Sequence, residues 1–354
     1  PGLAIARALV RLDSSVEPVF VGARRGIERE VLPGTEFRYV LLDLHPIYRA
    51  KPWRNWRTVL SLARGWREIA DVVRRERPAV AVGTGGYASG PTLAYASLHG
   101  VPTAIQEQNS APGFTTRLLG RRADEIYLGY GEAAAALRPR SGAWMGETGN
   151  PIDPPPVLRP ARSEARRAWR FPEHEGCVML IFGGSQGARA LNDVVAAWMK
   201  AGIPDGLSVI WATGRATYES YRRLETERVR VMPYLSPIAD AYAATDFALS
   251  RAGAITQAEL CAWGIPSIYV PLPTAAADHQ TGNARALADA GAGIHLPQPE
   301  LSAERLDREI RVLMTDRQRL DAMSAGAQRR GKPDAAENIA RRILTLAQLK
   351  RLPS

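Results

Sequence analysis

Cys177–Asn192 reads CVMLIFGGSQGARALN, and the organisation of the chain can be worked outward from it. Cys177 to Phe182 is an unbroken apolar run, the pattern of a strand buried on both faces. Gly183, Gly184 and Gly187 turn the chain, and Ala188–Trp198 continues with good helix formers at helical spacing. A strand that runs through glycines into a helix suits an anion. The glycines let the backbone approach the ligand, and the first N–H groups and positive dipole end of the helix favour negative charge. The same glycines also serve an ordinary β–α turn, so the reading depends on what other segments answer to this one.

Ser250–Gly264 (SRAGAITQAELCAWG) repeats the strand, glycine and helix order. The N–H groups of Ala254, Ile255 and Thr256 are offered to a phosphate, with Arg251 before the turn. Glu259 is either a ribose-diol acceptor or a solvated surface carboxylate. Gly83–Pro91 (GTGGYASGP) follows a short strand, Ala79–Val82, as a phosphate-approaching loop or a tight turn. No Lys-Ser/Thr pair follows either glycine loop, and neither has the dinucleotide spacing, which argues against P-loop hydrolases and nicotinamide oxidoreductases. Gln106–Leu119 (QEQNSAPGFTTRLL) puts Glu107, Gln108 and Asn109 at a strand end, where they suit a ligand edge or, for Asn109, a helix cap. Pro271–Ala284 (PLPTAAADHQTGNA) carries Asp278, His279, Gln280 and Asn283, which suit sugar hydroxyls or a polar surface loop. His99, His174 and His295 have no metal-ligand spacing and are assigned nothing.

With 354 residues, 45% hydrophobic and 23% charged, two domains are expected. A net charge of +10 implies an anionic partner: nucleic acid, an acidic membrane surface or a phosphorylated substrate. No nucleic-acid motif is present, and the basic residues concentrate in Arg49–Arg77 beside Trp53 and Trp56 rather than along a groove, so nucleic acid is not expected. Within that segment Val59, Leu62, Trp66, Ile69 and Val73 repeat at helical spacing and face a core. Only Cys177 and Cys261 occur, which excludes a disulfide framework. No apolar run approaches the roughly 20 residues of a membrane span, and no signal peptide is visible.

Strands are expected at Pro18–Gly22, Phe37–Leu42 and Thr103–Gln106. After a proline-rich linker, Gly149–Pro156, they resume at Leu207–Thr213, Arg228–Val231, Phe247–Ser250 and Ser267–Val270. Helices Ala303–Thr315, Arg317–Arg329 and Ala335–Leu349 close the chain. This alternation predicts an α/β protein with doubly wound parallel sheets in two similar halves. The chain opens in a helix, Leu3–Val10, so the first strand and its glycine turn are expected to be missing from it.

GGYASGP, QEQNSAPGFTTRLL, GNPID, FGGSQGARALN, SRAGAITQAEL and DHQTGNA stand in the order and spacing of the MurG family. These are the peptidoglycan N-acetylglucosaminyltransferases of glycosyltransferase family 28, and the chain resembles them over nearly its whole length. The resemblance implies a GT-B fold, two Rossmann-like domains separated by a deep cleft. Residues 1–150 would bind the acceptor and the membrane, 151–334 the donor, and 335–354 would return to the first domain. The implied reaction is inverting transfer of N-acetylglucosamine from UDP-N-acetylglucosamine to the C4 hydroxyl of the N-acetylmuramoyl unit of lipid I, giving lipid II. Another GT-B sugar-nucleotide transferase, such as one acting on a glycolipid, is the alternative; so is a truncated form that binds donor without turnover.

By the same resemblance, Gly184, Ser185 and Gln186 would face the donor diphosphate, with Asn192 supporting their loop. Arg251, Ala254, Ile255, Thr256 and Glu259 would serve the nucleotide, and Leu235 would offer its backbone to uracil. His279 and Gln280 would meet the sugar, with Asn109 also on the donor. Gly85, Gly86, Tyr87 and Glu107 would line the acceptor side, Tyr87 and Glu107 with catalytic roles. Trp53, Arg54, Trp56 and Arg57 would meet an anionic membrane surface, at the cytoplasmic face of the bacterial inner membrane beside other cell-wall synthesis proteins. No Asp-x-Asp cluster is present, so metal independence is expected and no cofactor is implied. Three departures from the family pattern stand out. The GGTGGH loop with the histidine proposed as general base precedes the residues that match Pro1-Gly2; Gln106 stands where a histidine is usual; Asp153 replaces an arginine.

Overall fold

The computed structural model describes residues 1–44, 55–86, 88–171, 176–184 and 188–349, with the backbone alone for 55–63. The chain divides into two compact units, Pro1–Pro151 with Asp334–Ser354, and Ile152–Pro333.

The first unit runs α1 (Gly2–Leu12), β1 (Val19–Ala23), α2 (Glu28–Val31), β2 (Arg38–Leu42), α3 (Asn55–Glu76), β3 (Ala81–Gly83), α4 (Ser89–Leu98), β4 (Thr103–Glu107), α5 (Phe114–Leu119), β5 (Glu125–Leu128) and β6 (Trp144–Glu147). β1 and β2 form a parallel pair, and β3-β4-β5-β6 a four-stranded parallel sheet. The predicted core face of α3 packs as its spacing requires: Ile69 is buried, and Trp66 and Val73 pack against the Leu42–Leu44–Tyr95 cluster. Trp66 meets Tyr95 edge-on at 5.2 Å. The side chains of Val59, Leu62, Trp56 and Arg57 lie outside the described residues, as do Trp53 and Arg54 altogether.

The second unit runs α6 (Arg162–Ala168), β7 (Cys177–Phe182), α7 (Arg189–Ala201), β8 (Leu207–Ala212), α8 (Tyr218–Tyr221), β9 (Val229–Met232), α9 (Ile238–Ala244), β10 (Phe247–Ser250), α10 (Ala254–Trp263), β11 (Ser267–Tyr269), α11 (His279–Asp289), β12 (Gly293–His295), α12 (Ala303–Thr315) and α13 (Arg317–Arg330). Its six-stranded sheet has the order β12-β11-β10-β7-β8-β9, every pair parallel. The order reverses between β7 and β10, and at such a switch point the loops leaving two neighbouring strands part to opposite faces. Trp198, Trp211 and Phe247 fill the core beneath. Ser302 and Asp316 cap α12 and α13 by accepting the N–H of Arg305 and Arg319 at 3.1 and 2.9 Å.

The chain returns to the first unit as α14 (Ala335–Leu349), whose Ile339 and Ile343 pack with Ile5 and Leu9 of α1. Arg342 grips the buried Glu125 of β5 through two 2.9 Å bonds and lies over the Trp144 ring at 3.4 Å, while Tyr127 donates to Glu125 at 2.8 Å. Burial and that carboxylate push the Tyr127 phenol far above its ordinary value. In the second unit Asp246, buried at the start of β10, accepts from Arg162 at 2.9 Å, from Arg166, and from the Val178 N–H at 2.7 Å. Sequence reading omitted β5, β6 and β12, and extended β8 and β11 by one residue beyond their ends.

Removing a partner from a buried pair strands the remaining charge. Asp246→Ala is expected to destabilise the second unit by about 3 kcal/mol in denaturant unfolding. Arg342→Ala, whose side chain is partly solvated, is expected to cost about 2 kcal/mol and to speed hydrogen exchange selectively in α14.

Candidate active site

In the second unit the switch point carries the glycine turns that follow β7 and β10. A side chain on Gly183 would strike Ala188, its Cβ falling 2.4 Å from the Ala188 Cβ, so only glycine lets the turn close onto α7. Gly184 follows in the left-handed region (φ 88°), with open space where a Cβ would stand. Ser185, Gln186 and Gly187 lie outside the described residues. Asn192, expected to support this loop, has its amide committed beneath it. It donates to the Thr213 carbonyl at 2.7 Å and to Thr217, and accepts from the Trp211 indole at 3.2 Å. It is fully buried, so it braces the β8 end against α7 and does not reach the surface.

After β10, Gly253 starts α10 without a side-chain cap. The first-turn N–H groups of Ala254, Ile255 and Thr256 therefore keep the open character of a helix N-terminus. Arg251 is buried and gives its Nη1 to the carbonyls of Val270 and Pro271, at 3.2 and 3.1 Å. It thereby ties the ends of β10 and β11 together, and burial lowers its pKa. Its Nε and the Ser250 hydroxyl are buried with no partner among the described residues, two donors left over at the strand end. Glu259, in the second turn of α10, is partly buried and accepts the Tyr242 hydroxyl at 2.8 Å. Burial raises its carboxyl above the ordinary value, and the Tyr242 bond only partly offsets this. Sequence reading missed Tyr242, which stands on α9 with no local signal linking it to Glu259.

Beyond β11, Ala277 and Asp278 both take left-handed backbone (φ 52°) ahead of α11. This turn points the His279 Nδ1 at the Ala276 carbonyl, which can only accept, so Nδ1 donates there and Nε2 is the ring nitrogen left for another partner. Gln280 does the reverse: its Oε1 accepts the Leu272 N–H at 3.0 Å, leaving its NH2 to donate. The Asn283 amide donates to the Ala252 carbonyl at 3.3 Å and anchors α11 to the β10 turn. The side chain of Leu235 is buried just past β9, which fixes its backbone at the rim of the sheet.

In the first unit the turn after β3 carries Gly85 and Gly86, both left-handed at φ 91° and 82°; Tyr87 lies outside the described residues. An amide chain links this turn to the end of β4. Gln108 donates to the Thr84 carbonyl at 2.7 Å and to Gln106 Oε1 at 2.6 Å; Gln106 donates to Asn150 Oδ1 at 3.0 Å; Asn150 returns a bond to the Gln108 carbonyl at 2.9 Å. Glu107, expected at the acceptor with a catalytic role, is only 4% exposed, and both its oxygens are engaged. Oε1 accepts the Asn109 N–H and side-chain amide at 3.0 and 3.2 Å, and Oε2 the Gly113 N–H at 3.3 Å. The carboxylate pins the loop that leads into α5. A proton-accepting role would need that loop to release it, and Asn109, expected at the donor, is turned onto the same carboxylate.

Comparison with known proteins agrees with this arrangement. The N-terminal domain of glycosyltransferase family 28 matches residues 1–128 and its C-terminal domain residues 178–339. A Moorella thermoacetica protein named UDP-N-acetylglucosamine--N-acetylmuramyl-(pentapeptide) pyrophosphoryl-undecaprenol N-acetylglucosamine transferase is 38% identical over 355 residues, covering 97% of this chain and 94% of its own. The Chlorobium limicola protein of the same name is 36% identical, covering 98% and 96%. Among solved structures, MurG of Acinetobacter baumannii superposes with a TM-score of 0.76 at 26% identity, over 98% of this chain and 95% of that one. The calicheamicin glycosyltransferase CalG4, 15% identical with a TM-score of 0.68 over 98% and 94% of the two chains, shares the fold. With two parallel α/β units, glycine turns at the switch point of the second, and relatives matched over nearly their whole length, the chain belongs to the MurG family of glycosyltransferase family 28 and has the GT-B fold.

Proposed function

We propose that the chain transfers N-acetylglucosamine from UDP-N-acetylglucosamine to the C4 hydroxyl of the N-acetylmuramoyl unit of lipid I, giving lipid II with inversion at the anomeric carbon. The observation that carries this reading is the nearly complete match to relatives that bear that transferase's name. The geometry of the second unit supplies the donor chemistry. The diphosphate takes the N–H groups at the start of α10 and the spare Arg251 Nε; the ribose diol donates to Glu259; the sugar hydroxyls meet the His279 Nε2 and the donating Gln280 amide. As the acceptor oxygen gives its proton to a general base and bonds to the anomeric carbon, the bond from that carbon to the β-phosphate oxygen breaks and UDP leaves with the electron pair. Donors already fixed around the diphosphate stabilise that charge without reorganising.

In the first unit, α3 packs on α4 and α4 on α5. Arg64, Arg67, Arg74 and Arg75 of α3 are exposed, as are Leu98 of α4 and Phe114 and Leu118 of α5. No described helix is long and apolar enough to cross a membrane. A basic layer with apolar side chains suits binding at an anionic surface, and we assign the protein to the cytoplasmic face of the bacterial plasma membrane.

UDP-N-acetylglucosamine titration and conversion of a lipid I analogue test the reading together. Saturable donor binding with transfer supports it; preference for another sugar nucleotide overturns it. Glu259→Gln removes charge-assisted bonds worth about 1.5–3 kcal/mol, so the donor Kd is expected to rise about 10- to 100-fold. The same substitution changes the pH profile of stability. Because the folded Glu259 holds its proton above the ordinary value of 4.5, its contribution is fully present below that pH and is lost as pH rises through the raised value. Denaturant midpoints of Glu259→Gln relative to the parent are therefore expected to improve as pH rises across that window. Vesicle sedimentation with anionic lipid should weaken about fivefold for each of Arg64→Ala and Arg67→Ala, and should fall with added salt.

A further inference from the structure

Glu28, the first residue of α2, was singled out by nothing in the sequence, yet three glycines make room for its side chain. A Cβ on Gly22, near the end of β1, would fall 2.7 Å from the Glu28 Cβ. One on Gly26 would fall 1.8 Å from Oε2, and one on Gly86, in the turn after β3, 3.0 Å from Oε1. A side chain at Gly22 would strike the Glu28 methylenes, one at Gly26 would displace its carboxylate, and one at Gly86 would press on it. The slot lies at the carboxyl ends of β1 and β3, the edge at which ligands of such sheets bind. Glu28 is partly buried, and among the described residues neither oxygen has a hydrogen-bond donor or cation as partner. Glu107, at the end of β4, is by contrast fully engaged with the Asn109 and Gly113 N–H groups and the Asn109 amide.

We infer that Glu28 is an acceptor-contact residue, taking a hydrogen bond from a hydroxyl or amide N–H of the acceptor glycan beside Gly86. An ionised carboxylate only accepts hydrogen bonds, so its partner must be a donor. The same charge repels phosphate, which puts the acceptor's diphosphate elsewhere and the neutral part of the glycan here. The inference rests on the proposed transferase reading and adds to it a side chain on the acceptor half.

The test is steady-state transfer to a lipid I analogue by the full-length protein, with the parent, Glu28→Ala and Glu28→Gln. Donor Kd is measured separately by UDP-N-acetylglucosamine titration, and folding by thermal unfolding. Both variants are expected to lose 10- to 100-fold in kcat/KM for the acceptor, with donor Kd and unfolding temperature unchanged. Full recovery in Glu28→Gln would make the side chain a filler of its slot and overturn the contact. Unchanged acceptor kinetics in both variants, or a donor Kd that moves in parallel, would overturn it as well. A parent that binds donor but transfers nothing to this acceptor would remove the proposed function, and Glu28's role with it; a parent that transfers normally confines any failure to Glu28.

Discussion

A parallel strand covered on both faces has no place for a polar side chain except at its end, and this constraint organises the second unit. β7 and β10 are buried along their whole lengths, apart from a partly covered Cys177, and lie side by side in the middle of the sheet. Chemistry can begin only where they stop, at Gly183–Gly184 and at Arg251–Gly253. Because the strand order reverses between these two strands, the polar groups of both turns gather at one point of the sheet edge. The buried Asp246, with Arg162 and Arg166, secures the opposite end of β10. The strand is thus fixed at its start by charge and left open to a ligand at its finish.

The two units prepare their polar groups differently. Around the second unit's switch point, donors remain over: the α10 N–H groups, the Arg251 Nε and the Gln280 amide. In the first unit the polar residues at the β4 end satisfy one another through Gln108, Gln106 and Asn150, and Glu107 spends itself on the loop before α5. Amide groups keep the same donors and acceptors across the whole physiological pH range, so this chain holds the Gly85–Gly86 turn without depending on a titrating side chain.

Much of the second unit was legible because its signals are local. The run Cys177–Phe182 followed by glycine, and Phe247–Ser250 followed by Arg-Ala-Gly, each announce a strand, a turn and a helix within a dozen residues. β5 was not legible, since it opens with Glu125, a poor strand residue whose partner Arg342 comes 217 residues later. β6 carries Trp144, whose ring is covered by the same arginine, and β12 spans only Gly293–His295. The candidate site divides in the same way. Glu259 and Gln280 could be named from their turns, but the commitment of Glu107 to Asn109 and Gly113 depends on how a loop folds back. The slot that receives Glu28 is assembled from glycines 60 residues apart in sequence, and no local pattern encodes it.

α14 makes the first unit discontinuous in sequence, and this orders the events of synthesis. Chains emerge from the ribosome N-terminus first, and domains fold as units once their residues are available. The first unit starts first, yet Ile5 and Leu9 wait for Ile339 and Ile343, and Glu125 waits for Arg342, until the second unit has been made in full. The half of the molecule assigned to the donor can therefore be complete while the half assigned to the lipid acceptor still lacks the helix that closes its core.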